Sequence, residues 1–326
     1  MGRQLERRRR LFHKFSDQLH LMVDQGLLQT ELQYERTYIC PICLGQFQES
    51  DLFANSGTNF LTEEDAPPAK LRGSRIALTC RDCNSGAGHQ IDNHLINRIR
   101  EIDDSKFYKG SKQFLRLNYE GGPITSEITS NGDGTLTVLH RIGKNNPNRL
   151  DRFIYGLRNK TVGPILNLEP KDYRVIPERV NIALAKTNYI ILFSKFGYLF
   201  LLHPYYDSLR NAIRHPEQQE GFRHIFLQDQ FDRNSTGTYY IINPNAKAFF
   251  NVFSLKTPFS ETLIGSILPT PSNSPEQLYN RLIQSGHNIQ QQGMVGVNLQ
   301  TQVIRPEDDL FRNVDDMGRV MGWALR

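Results

Sequence analysis

LTEEDAPPAKLRG, residues 61–73, lies between two cysteine pairs and sets Glu63, Glu64 and Asp65 side by side. Adjacent like charges repel, so such a run stays in solvent unless a cation or a positive partner faces it. Taken alone, the stretch reads as a solvated loop. Its flanks change that reading: CPIC at 40–43 and CRDC at 80–83 are two Cys-x2-Cys pairs, thirty-six residues apart, and they use every cysteine in the chain. Zinc takes four soft ligands in a tetrahedron, and a two-residue gap lets one turn present two thiolates to one ion. A structural Zn2+ on Cys40, Cys43, Cys80 and Cys83 is expected. A thioredoxin-like redox pair needs a βαβ setting, which is missing from the pattern.

One ion holding both pairs makes the intervening chain leave and return to the same point. The acidic loop is then expected beside NSGAGHQIDNHL, residues 84–95, which brings Asn84, His89, Asp92 and His94 at the start of a helix. Carboxylates facing an amide and imidazoles are the oxygen and nitrogen donors from which a second, catalytic metal site is built. For Asp92 the expected role is capping the helix start, with support of a metal ligand as the alternative.

In this order, CPIC, LTEEDAPPAKLRG and LTCRDCNSGAGHQID resemble the HNH (ββα-metal) endonuclease superfamily, in the subgroup with a zinc-stabilised core. The resemblance covers residues 38–100; VNIALAKTNYIILFSKFGYLFLLHP is also similar to segments that follow this core in related bacterial proteins. It implies that Glu64 is an acidic metal ligand, that Asn84 ligates or orients a catalytic Mg2+ or Mn2+, and that Pro67 or Pro68 makes the family's turn. Where active members carry a histidine as general base, this chain has Asp65. A histidine suits that task with its pKa near 6.5, whereas an aspartate starts near 3.9 and needs its acidic neighbours to raise it. Either Asp65 is the base, or it is a metal ligand and His89 or His94 is the base. The implied function is metal-dependent hydrolysis of phosphodiester bonds in DNA, a chemistry common in defence against foreign DNA. The alternative is a catalytically degenerate zinc module that binds nucleic acid or a protein.

The chain has 326 residues, 38% hydrophobic and 22% charged, which is the balance of a globular protein. Its net charge is +5, and MGRQLERRRR at the start holds five arginines against one glutamate. Such an arm either contacts phosphates or forms a solvated helix face. The residues after it are broken by Lys14, Asp17, His20 and Asp24, unlike a secretory leader. The most apolar later stretch, Tyr189 to Leu202, is interrupted by Ser194, Lys195 and Gly197, so no membrane span is expected. Together with the ligand-like cysteines, this points to the cytoplasm.

Three segments are expected: a basic helical arm at 1–36, a zinc-stapled unit at 37–104 and a larger domain at 105–326, giving an α+β fold. Leu11, Phe12, Phe15, Leu19 and Met22 recur at helical spacing until Gly26. FLRLNY and TLTVLHR read as strands joined through SNGDG, Asn181 to Phe196 as a helix stopped by Gly197, and YLFLLHP as a buried strand or helix end. FRHIFLQ, TYYIIN and AFFNVFSL are further strand candidates, and LPTPSNSPEQ is a connection. Phe249, Phe250 and Phe253 are assigned to the core, and PEDD at 306–309 to a solvated helix start. Lys70, Arg72, Arg75 and Arg81 lie within the knot, where they would hold phosphates or serve as general surface charge. No strand face with basic and aromatic residues interleaved stands out. A protein partner or self-association is assigned, if anywhere, to the C-terminal domain.

Overall fold

The computed structural model describes residues 2–53, 59–119, 122–159, 168–169, 173–220, 222–228, 231–243, 246–272, 277–278, 280–281, 290–291, 294–295, 300–303 and 309–326. The fold is α+β, with antiparallel sheets and an N-terminal helix. Two compact units are present: residues 1–96, 176–256 and 261–326 form the first, and 97–175 with 257–260 form the second. The N-terminal helix, the cysteine unit and the C-terminal sheet all fall in the first unit.

In the first unit, α1 (Gly2–Asp24) buries Phe12, Phe15, Leu19 and Met22, and Gly26 takes a positive φ of 68° just beyond its end. The helix stops just before Gly26, where the apolar spacing placed its end. Phe15 stacks on Phe193 with ring centroids 4.4 Å apart, and Tyr38 and Tyr198 meet both rings edge-on. Strands β1 (Tyr38–Ile39) and β2 (Gln46–Phe47) flank the first cysteine pair, while β3 (Leu61–Ala66) and β4 (Ser74–Cys80) form a hairpin. The acidic run is therefore a strand rather than a loop. Cys80 ends β4 and begins α2 (Arg81–Ala87), which continues through a π-helical turn, Gly88–Asp92, into α3 (Asn93–Ser105).

Helix α5 (Pro177–Phe196) is buried on nearly every side and touches β3, β4, the π turn, α6 (Asp207–Arg214) and β12 (Glu261–Pro269). An all-round apolar helix belongs at the centre of a core. Gly197 stops it with φ +58°; a Cβ there would meet Gln18 Oε1 at 1.7 Å, because the Gln18 amide bonds Phe196 O and Tyr198 N. YLFLLHP proves to be a run of buried turns, neither strand nor helix, fixed by Tyr198 Oη, which donates to Ile39 O and accepts from Ile39 N. A five-stranded antiparallel sheet completes the unit in the order β15 (Thr301–Val303), β10 (Gly237–Ile241), β11 (Ala248–Lys256), β12, β9 (Ile225–Gln228), with α7 (Val314–Leu325) at the C-terminus. Phe249, Phe250 and Phe253 on β11 are buried as expected. The glycine-interrupted β12 escaped the sequence reading. Residues 306–308 of PEDD and 273–276 of the expected connection lie outside the described residues.

The second unit is a four-stranded antiparallel sheet, β7 (Leu136–His140), β6 (Gly122–Ser130), β5 (Lys112–Tyr119), β8 (Leu168–Glu169), with α4 (Pro147–Arg158) packed on one face. Its core is Leu117, Ile124, Leu150 and Phe153. SNGDG joins β6 to β7, so the two strands read from sequence are separated in the sheet by one that was not. Asn146 caps α4 by accepting from Arg149 N, and Pro147 opens it.

No helix among the described residues is long and apolar enough to cross a membrane. Phe15 is the aromatic centre of the α1 packing and is fully buried. Phe15→Ala is expected to lose about 3–5 kcal/mol of stability, read as a lower midpoint in urea denaturation followed by circular dichroism.

Candidate metal centre and adjoining cleft

The four cysteine sulfurs all lie within 4.8 Å of one another, close enough to hold one metal ion together. Thiolates about 2.3 Å from a tetrahedral zinc stand roughly 3.8 Å apart, and Cys43 Sγ lies 3.7 Å from Cys80 Sγ. Cys80 N donates to Cys40 Sγ, a bond that supports a thiolate. Burial pushes the Cys40 thiol up, while its hydrogen bond to Cys43 pulls the latter down to about 7. All four sites predicted for structural zinc are thus brought together.

The hairpin leads from this cluster into a cleft of about 370 Å³, lined by Glu64, Asp65, Lys70, Asn84, His89 and Asp92 among others. Strict alternation along β3 would put Asp65 on the face of Glu63. The register shifts at this point, with Glu64 opposite Ala77 and Asp65 opposite Arg75, so Ile76 of β4 is the extra residue; Glu64 and Asp65 both line the cleft, while Asp65 shares Arg75 with Glu63. At the far end of the hairpin, a Cβ on Gly73 would meet Pro67 O at 1.4 Å, so only glycine fits that return.

Each of the three carboxylates faces a cation, and Arg75 serves two of them. Glu63 pairs with Arg7 of α1 and with Arg75 of β4, which hold its pKa below the ordinary range although burial works the other way. Asp65 is half-buried 3.8 Å from Arg75; burial raises its pKa and Arg75 only partly offsets this. Glu64 is 1% exposed: Oε1 lies 2.6 Å from Lys186 Nζ, and Oε2 accepts from Thr79 Oγ1 at 2.8 Å. Lys186 also reaches Asp92 Oδ2 at 2.8 Å. Burial alone would depress the lysine, but the two carboxylates outweigh it and hold its pKa above the ordinary value.

Asp92 sits in the π turn of a continuous helix, not at a helix start, so the capping role expected for it does not arise. Its Oδ1 is buried with no hydrogen-bond partner. Asn84 donates through Nδ2 to Thr62 Oγ1 and Glu63 O, which ties α2 to β3. His89 is exposed along the cleft, whereas His94 accepts from Ile176 N and is not among the lining residues.

Of the predicted cleft residues, Glu64, Asp65, Asn84 and His89 share the lining. Lys186 was missed. Its signal in the sequence is one positive charge in the otherwise uncharged run between Arg179 and Lys195. Comparison of the chain with known protein families, curated proteins and solved structures finds no match.

Two outcomes test this geometry. Lys186→Met leaves Glu64 and Asp92 buried together and is expected to cost about 3–5 kcal/mol near neutral pH. In the native chain the lysine pKa is raised by folding, so its contribution is complete below the ordinary lysine value and fades only as pH rises through the folded one. In the variant, burial keeps the Glu64 pKa above its unfolded value, so stability is greatest at low pH and falls as pH rises. Urea midpoints for both proteins near pH 5 and pH 8 read this difference. Separately, stripping zinc with a strong chelator is expected to lower the melting temperature, and re-adding Zn2+ to restore it, an effect that Cys83→Ser abolishes.

Proposed function

We propose that this protein is an HNH-type, ββα-metal endonuclease that hydrolyses phosphodiester bonds in DNA, with its reaction in the cleft between β3 and α2. The observation that carries this reading is the convergence of Asp65, Asn84 and His89 in one cleft beside the clustered thiols. Exposed Lys70 on the same lining suits a phosphate.

The donor types suit a hard divalent cation such as Mg2+ or Mn2+: Asp65, Asn84 and Asp92, whose Oδ1 has no hydrogen-bond partner, bring oxygens to the cleft lining, although among the described residues only the cysteines lie close enough together to hold an ion as they stand. When bound, such an ion would supply Lewis-acid stabilisation of charge developing on the phosphate. Glu64, with both oxygens engaged by Lys186 and Thr79, serves this reading as the anchor of β3 rather than as an open ligand. Asp65 takes the proton of the attacking water, helped by burial that raises its pKa towards working pH. His89, across the cleft, is the alternative acceptor. Substitution separates them: loss of cleavage in Asp65→Asn with rate kept in His89→Ala assigns the proton transfer to Asp65, and the reverse assigns it to His89.

The Lys186 bridge favours a second reading. An ammonium already placed between Glu64 and Asp92 is what a nuclease scaffold kept only for binding would also contain.

Supercoiled-plasmid cleavage with added Mg2+ or Mn2+ separates the two. The native chain is expected to nick and linearise the plasmid, and Asn84→Ala to lose at least a hundredfold in rate. Cleavage by Asp65→His alone, with none by the native chain, would assign the protein to the binding reading.

A further inference from the structure

The second unit presents an open sheet face that neither the cleft nor the zinc cluster uses. Along β5, Leu115 and Leu117 point into the core under α4, while Lys112, Phe114 and Arg116 alternate with them and are exposed. The register sets Phe114 opposite Glu127 on β6, and Glu127 opposite Leu139 on β7. Phe114 is 49% exposed and Leu139 is 54% exposed, so the row carries apolar surface that none of the described residues covers. Cations frame it. Lys112 and Arg141 both pair with Glu127, at 2.8 and 2.6 Å, and the Arg141 guanidinium lies 5.5 Å from the Phe114 ring centroid.

Charge across the unit agrees with this face. Residues 97–175 hold fourteen lysines and arginines against nine acidic residues, a balance that accounts for the whole chain's +5. An apolar protein partner would meet three cations on this face against the one carboxylate of Glu127. A duplex would offer phosphates but no base faces for Phe114. Single-stranded DNA supplies both, since base faces stack on exposed aromatics while phosphates run along the cations. An antiparallel sheet with basic and aromatic side chains alternating on its open face is a general platform for unstacked bases.

The geometry points to this face as a binding surface for single-stranded DNA, with Phe114 as the stacking residue and Lys112, Arg116 and Arg141 as the phosphate contacts. The choice of DNA rests on the endonuclease reading; the face itself does not.

Fluorescence anisotropy of a labelled mixed-sequence 20-nucleotide DNA tests it, using the full zinc-loaded chain without added Mg2+ or Mn2+. Phe114→Ala is expected to weaken binding about tenfold with the salt dependence unchanged. Arg116→Ala is expected to lower the salt slope by about 0.7, the share of one phosphate on a single strand. Removing Lys112 and Arg141 alone would strand the buried Glu127. The triple variant Lys112→Gln, Glu127→Gln, Arg141→Gln avoids that and, with two phosphate contacts removed, is expected to lower the slope by about 1.4. Native-like binding by Phe114→Ala and the triple variant, with unchanged circular dichroism, overturns the inference, as does tighter binding of the matching duplex or RNA. Binding that these variants weaken, in a protein that cleaves nothing, upholds this face and sinks the nuclease; cleavage with binding indifferent to them does the reverse.

Discussion

An ammonium group enclosed in a core without solvent is costly by several kcal/mol unless charges of the opposite sign meet it at hydrogen-bond distance. Lys186 lies near the middle of the most enclosed helix of the chain and is met twice, by Glu64 from β3 and by Asp92 from the π turn. That requirement ties three elements together. If α5 moved relative to the hairpin, or the π turn relaxed to an ordinary helical turn, one carboxylate would lose its partner within the core. The cluster holds two negative charges against one positive, and the unpartnered Asp92 Oδ1 is where the excess falls. The chemistry of the cleft follows from this count. Glu64 is spent on the lysine, and the acid of β3 left for the cleft is Asp65, which sits opposite Arg75.

The cysteine cluster constrains the other end of the same hairpin. Cys80 is at once the last residue of β4, a member of the thiol cluster and the residue before α2. A single residue thus fixes where the strand stops, where the helix starts and how both meet the first cysteine pair. From there the Asn84 amide, donating to Thr62 and to the Glu63 carbonyl, locks the first turn of the helix against β3. The cleft is held by metal-type geometry at one end and by the Gly73 return at the other, with Lys186 beneath its middle.

What could be read in the sequence divides by distance along the chain. The cysteine pairs were legible because each pair needs only one turn, and the helices because Phe12, Phe15, Leu19 and Met22, or the run up to Gly197, repeat on a local period. The acidic run was misread as a loop, since three carboxylates have weak strand preference and only the pairing with β4 makes them a strand. Lys186 was opaque for a stronger reason. Its partners lie 94 and 122 positions away, and nothing in the neighbourhood of a lone lysine names them. The alternation of Lys112, Phe114 and Arg116 was present at period two, but without the adjacent β6 it could not be told which side of β5 would be covered.

The arginines at the N-terminus were the obvious source of positive charge for a nucleic acid, and the structure commits several of them elsewhere. Arg7 pairs with Glu63, Arg8 donates to Leu52 O and Arg9 lies 3.3 Å from Glu49, so this stretch of α1 serves to neutralise the cysteine unit. The pairing with Arg7 also answers why an acidic run is tolerated beside Glu64: Glu63 is balanced from α1 and β4, Glu64 from α5, and Asp65 from the same β4 arginine. Outside residues 97–175, acidic and basic residues are equal in number, and the positive excess that a polyanion would find lies within that segment. A search for the phosphate contacts of this chain therefore starts from Lys112, Arg116 and Arg141 rather than from its arginine-rich first turns.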